Sequence, residues 1–372
     1  MYKVRIFDNC LFLQRKYSKN TYINMNKLLL SLLSVFFYLT AQAGDAGIKY
    51  PAPENTKFRV IGYVPGYRDV SQIPDETLSR MDIACYAFAT IDSTGFPVVR
   101  DEKQMKKFVK RARKLGVEVM ISFNGKHAVF SKMASDPVLR KRFTDEIWRI
   151  VKKYRLSGVD NDWEFPRTTD GTMESNLQLM KDLAELCRGG KKQYYLTMAV
   201  TSGMYPGARD AAITDEVFAL VDWFNVMVYG NFSETKPGQH HSTYRMLEMS
   251  YDYWVKKRGL DPRKYVMGLP LYGLASGLPK KTSSTSFSKI MEQNGAKALG
   301  TDVAYVTNSI HTTPYPVYYN GIPTISRKTA FALDKRVGGV MFWEISQDAQ
   351  GENSLVKTVC DIIEAAIEYK KH

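Results

Sequence analysis

The sequence predicts an α/β protein built as a closed (β/α)8 barrel, the TIM-barrel architecture. Three observations predict it. From Lys57 onward, short apolar runs alternate strictly with amphipathic segments of helical period. Eight such repeats occupy about 310 residues, which favours a closed barrel over an open doubly wound sheet. No G-x-G-x-x-G follows the first apolar run, so the main reason to prefer a dinucleotide-binding sheet is missing.

The strands are expected at Phe58–Val64, Ile83–Ile91, Val117–Phe123, Gly158–Asp162, Tyr194–Val200, Trp223–Tyr229, Tyr265–Leu269 and Gly339–Trp343. Between them, Glu102–Leu115 carries Met105, Phe108, Val109 and Ala112 at helical spacing. A second helix, Pro137–Tyr154, follows Asp136, an N-cap residue with proline at the first helical position. Further helices are expected at Thr172–Cys187, Asp215–Leu220, Thr243–Lys257, Ser326–Lys335 and Ser354–Tyr369.

One connection is long. Residues 272–325 hold the Ser/Thr-rich stretch Lys281–Ser288, a helical piece near Phe287–Gln293 and the aromatic run Tyr315–Tyr319 beside Pro314. They form a small insertion between strand 7 and its helix, expected as one wall of the site; the alternative is a surface excursion.

The first 43 residues read as a signal peptide. Asn26 and Lys27 precede an apolar run, Leu28–Leu39, and then Ala41-Gln42-Ala43, a small-x-small cleavage site. The run is too short for a membrane span. Met25 stands where such a signal would begin; the alternative is that residues 1–24 form an extended n-region. The expectation is a secreted or periplasmic protein, cleaved after Ala43, monomeric and without a membrane span.

Of 52 basic and 38 acidic residues, six and one lie in that segment, so residues 44–372 carry a net charge of +9. The basic clusters Lys106-Lys107, Lys110-Arg111, Arg113-Lys114 and Arg140-Lys141-Arg142 fall on expected helices and read as solvated faces, with no nucleic-acid motif beside them. Cys85, Cys187 and Cys360 remain, too few and too odd in number for a disulfide framework. No CxxC pair or His/Cys cluster suggests a metal, and no cofactor is expected.

The chemistry is expected at Ser157-Gly158-Val159-Asp160-Asn161-Asp162-Trp163-Glu164-Phe165-Pro166, at the end of the fourth strand. Side chains two apart share a strand face, about 6.6–6.8 Å apart. Asp160, Asp162 and Glu164 therefore project together, at the barrel end where such folds do chemistry. Carboxylates so close raise one another's pKa, which yields an acid usable near neutral pH. A solvated acidic loop would not carry Val159, Trp163 and Phe165. A divalent-cation loop would bring more glycine and more oxygen ligands.

This segment resembles the DxxDxDxE signature of glycoside hydrolase family 18, the family of many chitinases. Other segments resemble family motifs in order: Gly62-Tyr63 on strand 1, Ser122-Phe123-Asn124-Gly125 on strand 3, Met227-Val228-Tyr229 on strand 6, and Gly338–Glu344 on strand 8. The resemblance covers residues 44–372 and implies a secreted retaining hydrolase of β-1,4-linked N-acetylglucosamine, acting on chitin or its oligosaccharides. It implies substrate-assisted catalysis, in which the sugar's own acetamido oxygen forms an oxazolinium ion. Glu164 is implied as acid and then base, Asp162 as orienter of the acetamido group, Asp160 as tuner of Asp162, and Tyr229 as donor to the acetamido carbonyl. Trp343, Tyr63, Ser122 and Met227 complete the implied substrate-binding set, with Trp343 as apolar floor and Tyr63 and Ser122 supporting the acids.

Three positions depart from the pattern. Ser157 replaces the first Asp of the signature, Asn124 replaces a glycine, and Gly230 stands after Tyr229 where many members have Asp. The alternatives are an endo-β-N-acetylglucosaminidase acting on N-glycans, a peptidoglycan-directed glucosaminidase suited to a basic surface, and a non-catalytic chitinase-like lectin. Glu164 speaks against the lectin, because such lectins typically lose the acid.

Overall fold

The computed structural model describes residues 58–369. The expected signal peptide, residues 1–43, lies outside them. Among the described residues thirteen strands run in chain order: β1 (Arg59–Pro65), β2 (Ile83–Ile91), β3 (Pro97–Val99), β4 (Glu118–Asn124), β5 (Gly158–Asn161), β6 (Tyr195–Thr201), β7 (Trp223–Met227), β8 (Tyr265–Pro270), β9 (Tyr272–Gly273), β10 (Thr285–Ser286), β11 (Val303–Val306), β12 (Tyr315–Tyr318) and β13 (Gly339–Trp343). Eight of them pair in parallel around a closed ring, β1-β2-β4-β5-β6-β7-β8-β13 and back to β1. The (β/α)8 barrel read from the sequence is therefore the fold.

The strands alternate between two cores because successive side chains leave a strand on opposite faces. Ile61 and Tyr63 of β1, Ile83, Cys85 and Ala87 of β2, Met120 of β4, Trp223 of β7 and Met341 of β13 fill the barrel interior. Val60, Val64, Ala84, Tyr86, Val340 and Phe342 face outward under the helices. The Arg59 guanidinium stacks over the Trp223 ring, 4.8 Å from its centroid.

The helices follow their caps. Asp136 accepts from the Val138 and Leu139 amides at 2.8 and 3.1 Å and opens helix 137–154, as its sequence predicts. Three local features escape the sequence pattern. A helix over His127–Ser135 precedes that cap. β3 pairs antiparallel with the end of β2. The expected helix Thr243–Lys257 is α-helical only over Tyr244–Tyr251 and continues as a π-helix over Asp252–Lys257. Cys85, Cys187 and Cys360 are buried free thiols. Among the described residues no helix is long and apolar enough to cross a membrane.

After β8 the chain makes two small antiparallel pairs, β9 with β10 and β11 with β12, around a helix at Phe287–Asn294. It rejoins the barrel in helix Ile322–Asp334, which begins four residues before the expected Ser326 because Gly321 and Pro323 already form its first turn.

Candidate active site

The barrel register gathers polar side chains of neighbouring strands around one carboxylate. β4 and β5 pair Ser122 with Asp160, and β5 and β6 pair Asp160 with Thr197. Both hydroxyls thus flank one carboxylate. Ser122 donates to Asp160 Oδ2 at 2.8 Å and Thr197 to Oδ1 at 2.6 Å. Tyr63 of β1 donates to Oδ2 at 2.7 Å, and the Asn225 amide of β7 to Oδ1 at 3.0 Å and to the Tyr63 oxygen at 3.0 Å. Asp160 is fully buried. Burial pushes its carboxyl upward, and the four donors hold that rise in check.

Asp162 lies just beyond β5, which ends at Asn161 rather than at Asp162 as expected. Its amide donates to the Phe123 carbonyl at 3.0 Å, and its side chain is 5% exposed. Oδ1 is buried and has no hydrogen-bond partner. Burial raises this carboxyl well above the usual range, and repulsion from Glu164 and Asp160 adds to the rise. Of the three acids, Asp162 is the one with a buried oxygen that lacks a partner.

Glu164 stands at the floor of an open cleft, accessible to solvent yet with protein on most sides. Surrounding protein raises its carboxyl, and Lys280 and Arg209 oppose the rise. The cleft has a volume of about 440 Å³ and is also lined by Tyr63, Met227, Tyr229 and Trp343. Trp343 is half-buried, tilted against Tyr63 at 5.4 Å and stacked on Phe88 at 5.8 Å, so its remaining face lies open to the cleft. The chain passes through cis peptides at Ala87–Phe88, Glu164–Phe165 and Trp343–Glu344.

Tyr229 packs edge-on against Tyr272 at 6.3 Å. Among the described residues its hydroxyl meets only the Met341 thioether, at 3.9 Å, a weak acceptor. Burial and the neighbouring acids hold the phenol well above its ordinary pKa, so it remains a donor. Gly230 follows with φ +84°, and a Cβ there would meet nothing within 4 Å. Backbone conformation rather than crowding favours glycine at this position.

The structure brings Asp160, Asp162, Glu164, Tyr63, Met227, Tyr229 and Trp343 to one place. Ser122 is the exception among the expected substrate contacts. It is fully buried beneath the cleft, and its hydroxyl is consumed by Asp160, so it supports that acid without facing a ligand. Sequence reasoning missed Thr197, Asn225, Arg209 and Lys280. The first two had a signal, as lone polar residues inside the apolar runs Tyr195–Val200 and Trp223–Met227. Arg209 and Lys280 sit on connections whose path no local pattern fixes.

The comparisons agree with this geometry. The Nod factor hydrolase protein 1 of Medicago truncatula is 26% identical over 261 residues, covering 59% of this chain and 65% of its own length. Endochitinase 1 of Metarhizium robertsii is 25% identical over 260 residues, covering 62% and 61%. This chain thus spans slightly less than two thirds of each. Among solved structures, a chitinase from Bacteroides thetaiotaomicron superposes with a TM-score of 0.70 at 26% identity, covering 83% of this chain and 97% of that one. The family model of glycosyl hydrolases family 18 matches residues 59–348, from the first barrel strand to just past the last. On that match, together with the acids at the end of β5, the chain belongs to glycosyl hydrolases family 18.

Proposed function

We propose that this protein is a secreted or periplasmic retaining hydrolase that cleaves β-1,4-linked N-acetylglucosamine in chitin or chitooligosaccharides. One observation carries the reading. The cleft holds a buried acceptor without a partner, Asp162 Oδ1, and a weakly engaged donor, the Tyr229 hydroxyl. An acetamido group offers the complement, an N–H and a C=O. Leaving Asp162 Oδ1 buried and unpaired costs about 1–3 kcal/mol, which such a ligand relieves.

In this mechanism the sugar rests its apolar face on Trp343. Tyr229 donates to the acetamido carbonyl and Asp162 accepts from its N–H, which turns the carbonyl oxygen towards the anomeric carbon. Glu164 gives its proton to the glycosidic oxygen as the C–O bond breaks and the acetamido oxygen bonds to the anomeric carbon. The oxazolinium ion carries positive charge, and the Asp162 carboxylate stabilises it. Glu164, now ionised, takes a proton from water, which attacks the anomeric carbon and releases the acetamido oxygen. Asp160 stays in place throughout, held by four donors, and its negative charge adds to the upward shift that burial imposes on Asp162.

The test is to incubate the purified protein with chitooligosaccharides and, separately, with an N-glycoprotein, reading products by mass spectrometry. Shortened N-acetylglucosamine oligomers are expected. Release of N-glycans with intact chitooligosaccharides would move the assignment to an endo-β-N-acetylglucosaminidase.

A further inference from the structure

We propose that Arg209 and Lys280 make the cleft selective for N-acetylglucosamine glycans that carry an anionic substituent beside the scissile linkage. This names the substrate class of the hydrolase reading and rests on it. Chitin itself is neutral, so a cleft built only for chitin needs no free cation near its acid.

Both cations line the cleft and both are exposed. The Arg209 guanidinium lies 5.4 Å from the ring centroid of Phe165, the residue after Glu164. Lys280 opens the short helix Lys280–Ser283 on the insertion side; its backbone amide donates to the Glu234 carboxylate at 2.9 Å. Among the described residues neither side chain has a carboxylate within ion-pair distance. Arg68, by contrast, is neutralised by the buried Glu344 at 3.0 Å. The acids facing Arg209 and Lys280 across the cleft do not balance them. Asp210 is buried and bound by the Thr201 hydroxyl and the Gly207 amide. Asp162 is nearly buried against its two acidic neighbours, which leaves Glu164 as the accessible acid, and the reaction needs that acid protonated. Gly230 stands where the family resemblance implies a further carboxylate, so this chain lacks one more negative charge at the rim. The open part of the cleft is thus positive near the acid, and charge in a low-dielectric cleft is focused rather than dispersed.

Arg209 lies against the residue that follows the acid, at the cleft wall beside the position of the scissile linkage in the proposed reaction. A carboxylate on that sugar, such as a 3-O-lactyl ether, or a sulfate ester would meet Arg209 and Lys280 together. Both sources share the same recognition, a singly charged oxyanion held by a guanidinium and an ammonium.

The experiment compares kcat/KM on three tetramers: all N-acetylglucosamine, alternating with 3-O-lactyl-N-acetylglucosamine, and 6-O-sulfated. Wild type, Arg209→Gln/Lys280→Gln and the charge-keeping Arg209→Lys/Lys280→Arg are measured at low salt and at about 1 M salt, where the Debye length is about 3 Å. An effect of these residues on Glu164 itself changes all three substrates alike and cancels in the ratio. The expectation is a wild-type preference of about tenfold for an acidic tetramer at low salt, from two ion pairs. High salt and the double Gln variant abolish it, and the charge-keeping variant retains most of it. Preference for the lactyl or for the sulfated tetramer identifies the source of the anion. A ratio of one, or a ratio unmoved by the double Gln substitution, overturns the proposal. If wild type cuts none of the three, the hydrolase reading fails instead, and calorimetric affinities decide this point. Tighter binding of an acidic tetramer, lost in the double variant, sustains the role of the two cations; equal affinities end it.

Discussion

Two buried charges of opposite sign sit in different parts of this molecule, and only one belongs to a reactive site. Asp160 lies on the barrel interior and accepts from Tyr63, Ser122, Thr197 and Asn225. Lys328 is fully buried on helix Ile322–Asp334. It donates to the Ser242 carbonyl at 2.9 Å, the Ser242 hydroxyl at 2.7 Å and Asn320 Oδ1 at 2.8 Å. Both ions are held by neutral partners. The difference is next door. Asp160 neighbours Asp162, whose Oδ1 is unfilled, and Glu164, which is open to the cleft. Lys328 uses all three of its protons and adjoins nothing of the kind. Its work is architectural: it ties the barrel helix to Asn320 at the end of the insertion and to Ser242. The neighbouring His241 carbonyl in turn receives the Asn231 amide at the cleft edge. A buried charge therefore does not mark a site; an unfilled hydrogen-bonding valence beside it does.

The largest expected effect separates the reactive cluster from everything else. Glu164→Gln lowers kcat on chitooligosaccharides by about 10²–10⁴-fold, because a poor leaving group needs its proton donor. Its thermal melt stays at the wild-type temperature, since the side chain faces solvent. A variant that keeps most of its turnover removes Glu164 from the chemistry.

Next come the two buried charges themselves. Asp160→Leu strands four donors in the barrel interior and costs about 3–5 kcal/mol. Lys328→Met strands fewer acceptors and removes a desolvated cation, so about 1–3 kcal/mol is expected. Denaturant unfolding of both variants gives the order; the reverse order breaks the comparison.

Lys328 also predicts a slope with pH. Burial lowers its pKa to about 7, against about 10.4 in the unfolded chain. Between these values the unfolded state holds a proton that the folded state has lost. The contribution of this group to stability therefore rises as pH increases from about 7 towards 10 and is at its lowest below 7. Denaturation midpoints at pH 6, 8 and 9 should show a steeper rise in wild type than in Lys328→Met. Parallel curves would mean that Lys328 titrates normally.

The smallest effect is at Gly230. With φ +84° and free space around a Cβ, Gly230→Asp costs about 1 kcal/mol for conformation alone. The added carboxylate raises the pKa of the neighbouring acid, so the basic limb of the pH–rate profile moves to higher pH. A melt and a pH profile on one sample measure both. A normal melt with an unmoved limb places position 230 away from the acid's field.

Much of this was legible before the structure, for identifiable reasons. The barrel follows from strand alternation, and helix 137–154 from the Asp136 cap, because both are local signals. Asp160, Asp162 and Glu164 share one short segment, so their clustering needs no knowledge of the fold. Thr197 and Asn225 reach Asp160 only through the barrel register, across 37 and 65 positions of sequence. The helix His127–Ser135 opens at Lys126, whose side chain makes no cap, so no start signal announces it. Arg209 and Lys280 both line the cleft, on connections that follow β6 and β8, and Ser122 reaches Asp160 through the pairing of β4 with β5. In each case tertiary closure, rather than local propensity, made the contact.

The central claim is that the substrate's acetamido oxygen, held by Asp162 and Tyr229, is the nucleophile. Proton NMR of a chitooligosaccharide digest in its first minutes, before mutarotation, tests it most directly. Two displacements at the anomeric carbon retain configuration, so the new reducing ends should be formed as the β-anomer. Initial formation of the α-anomer would mean direct attack by water and would contradict the account.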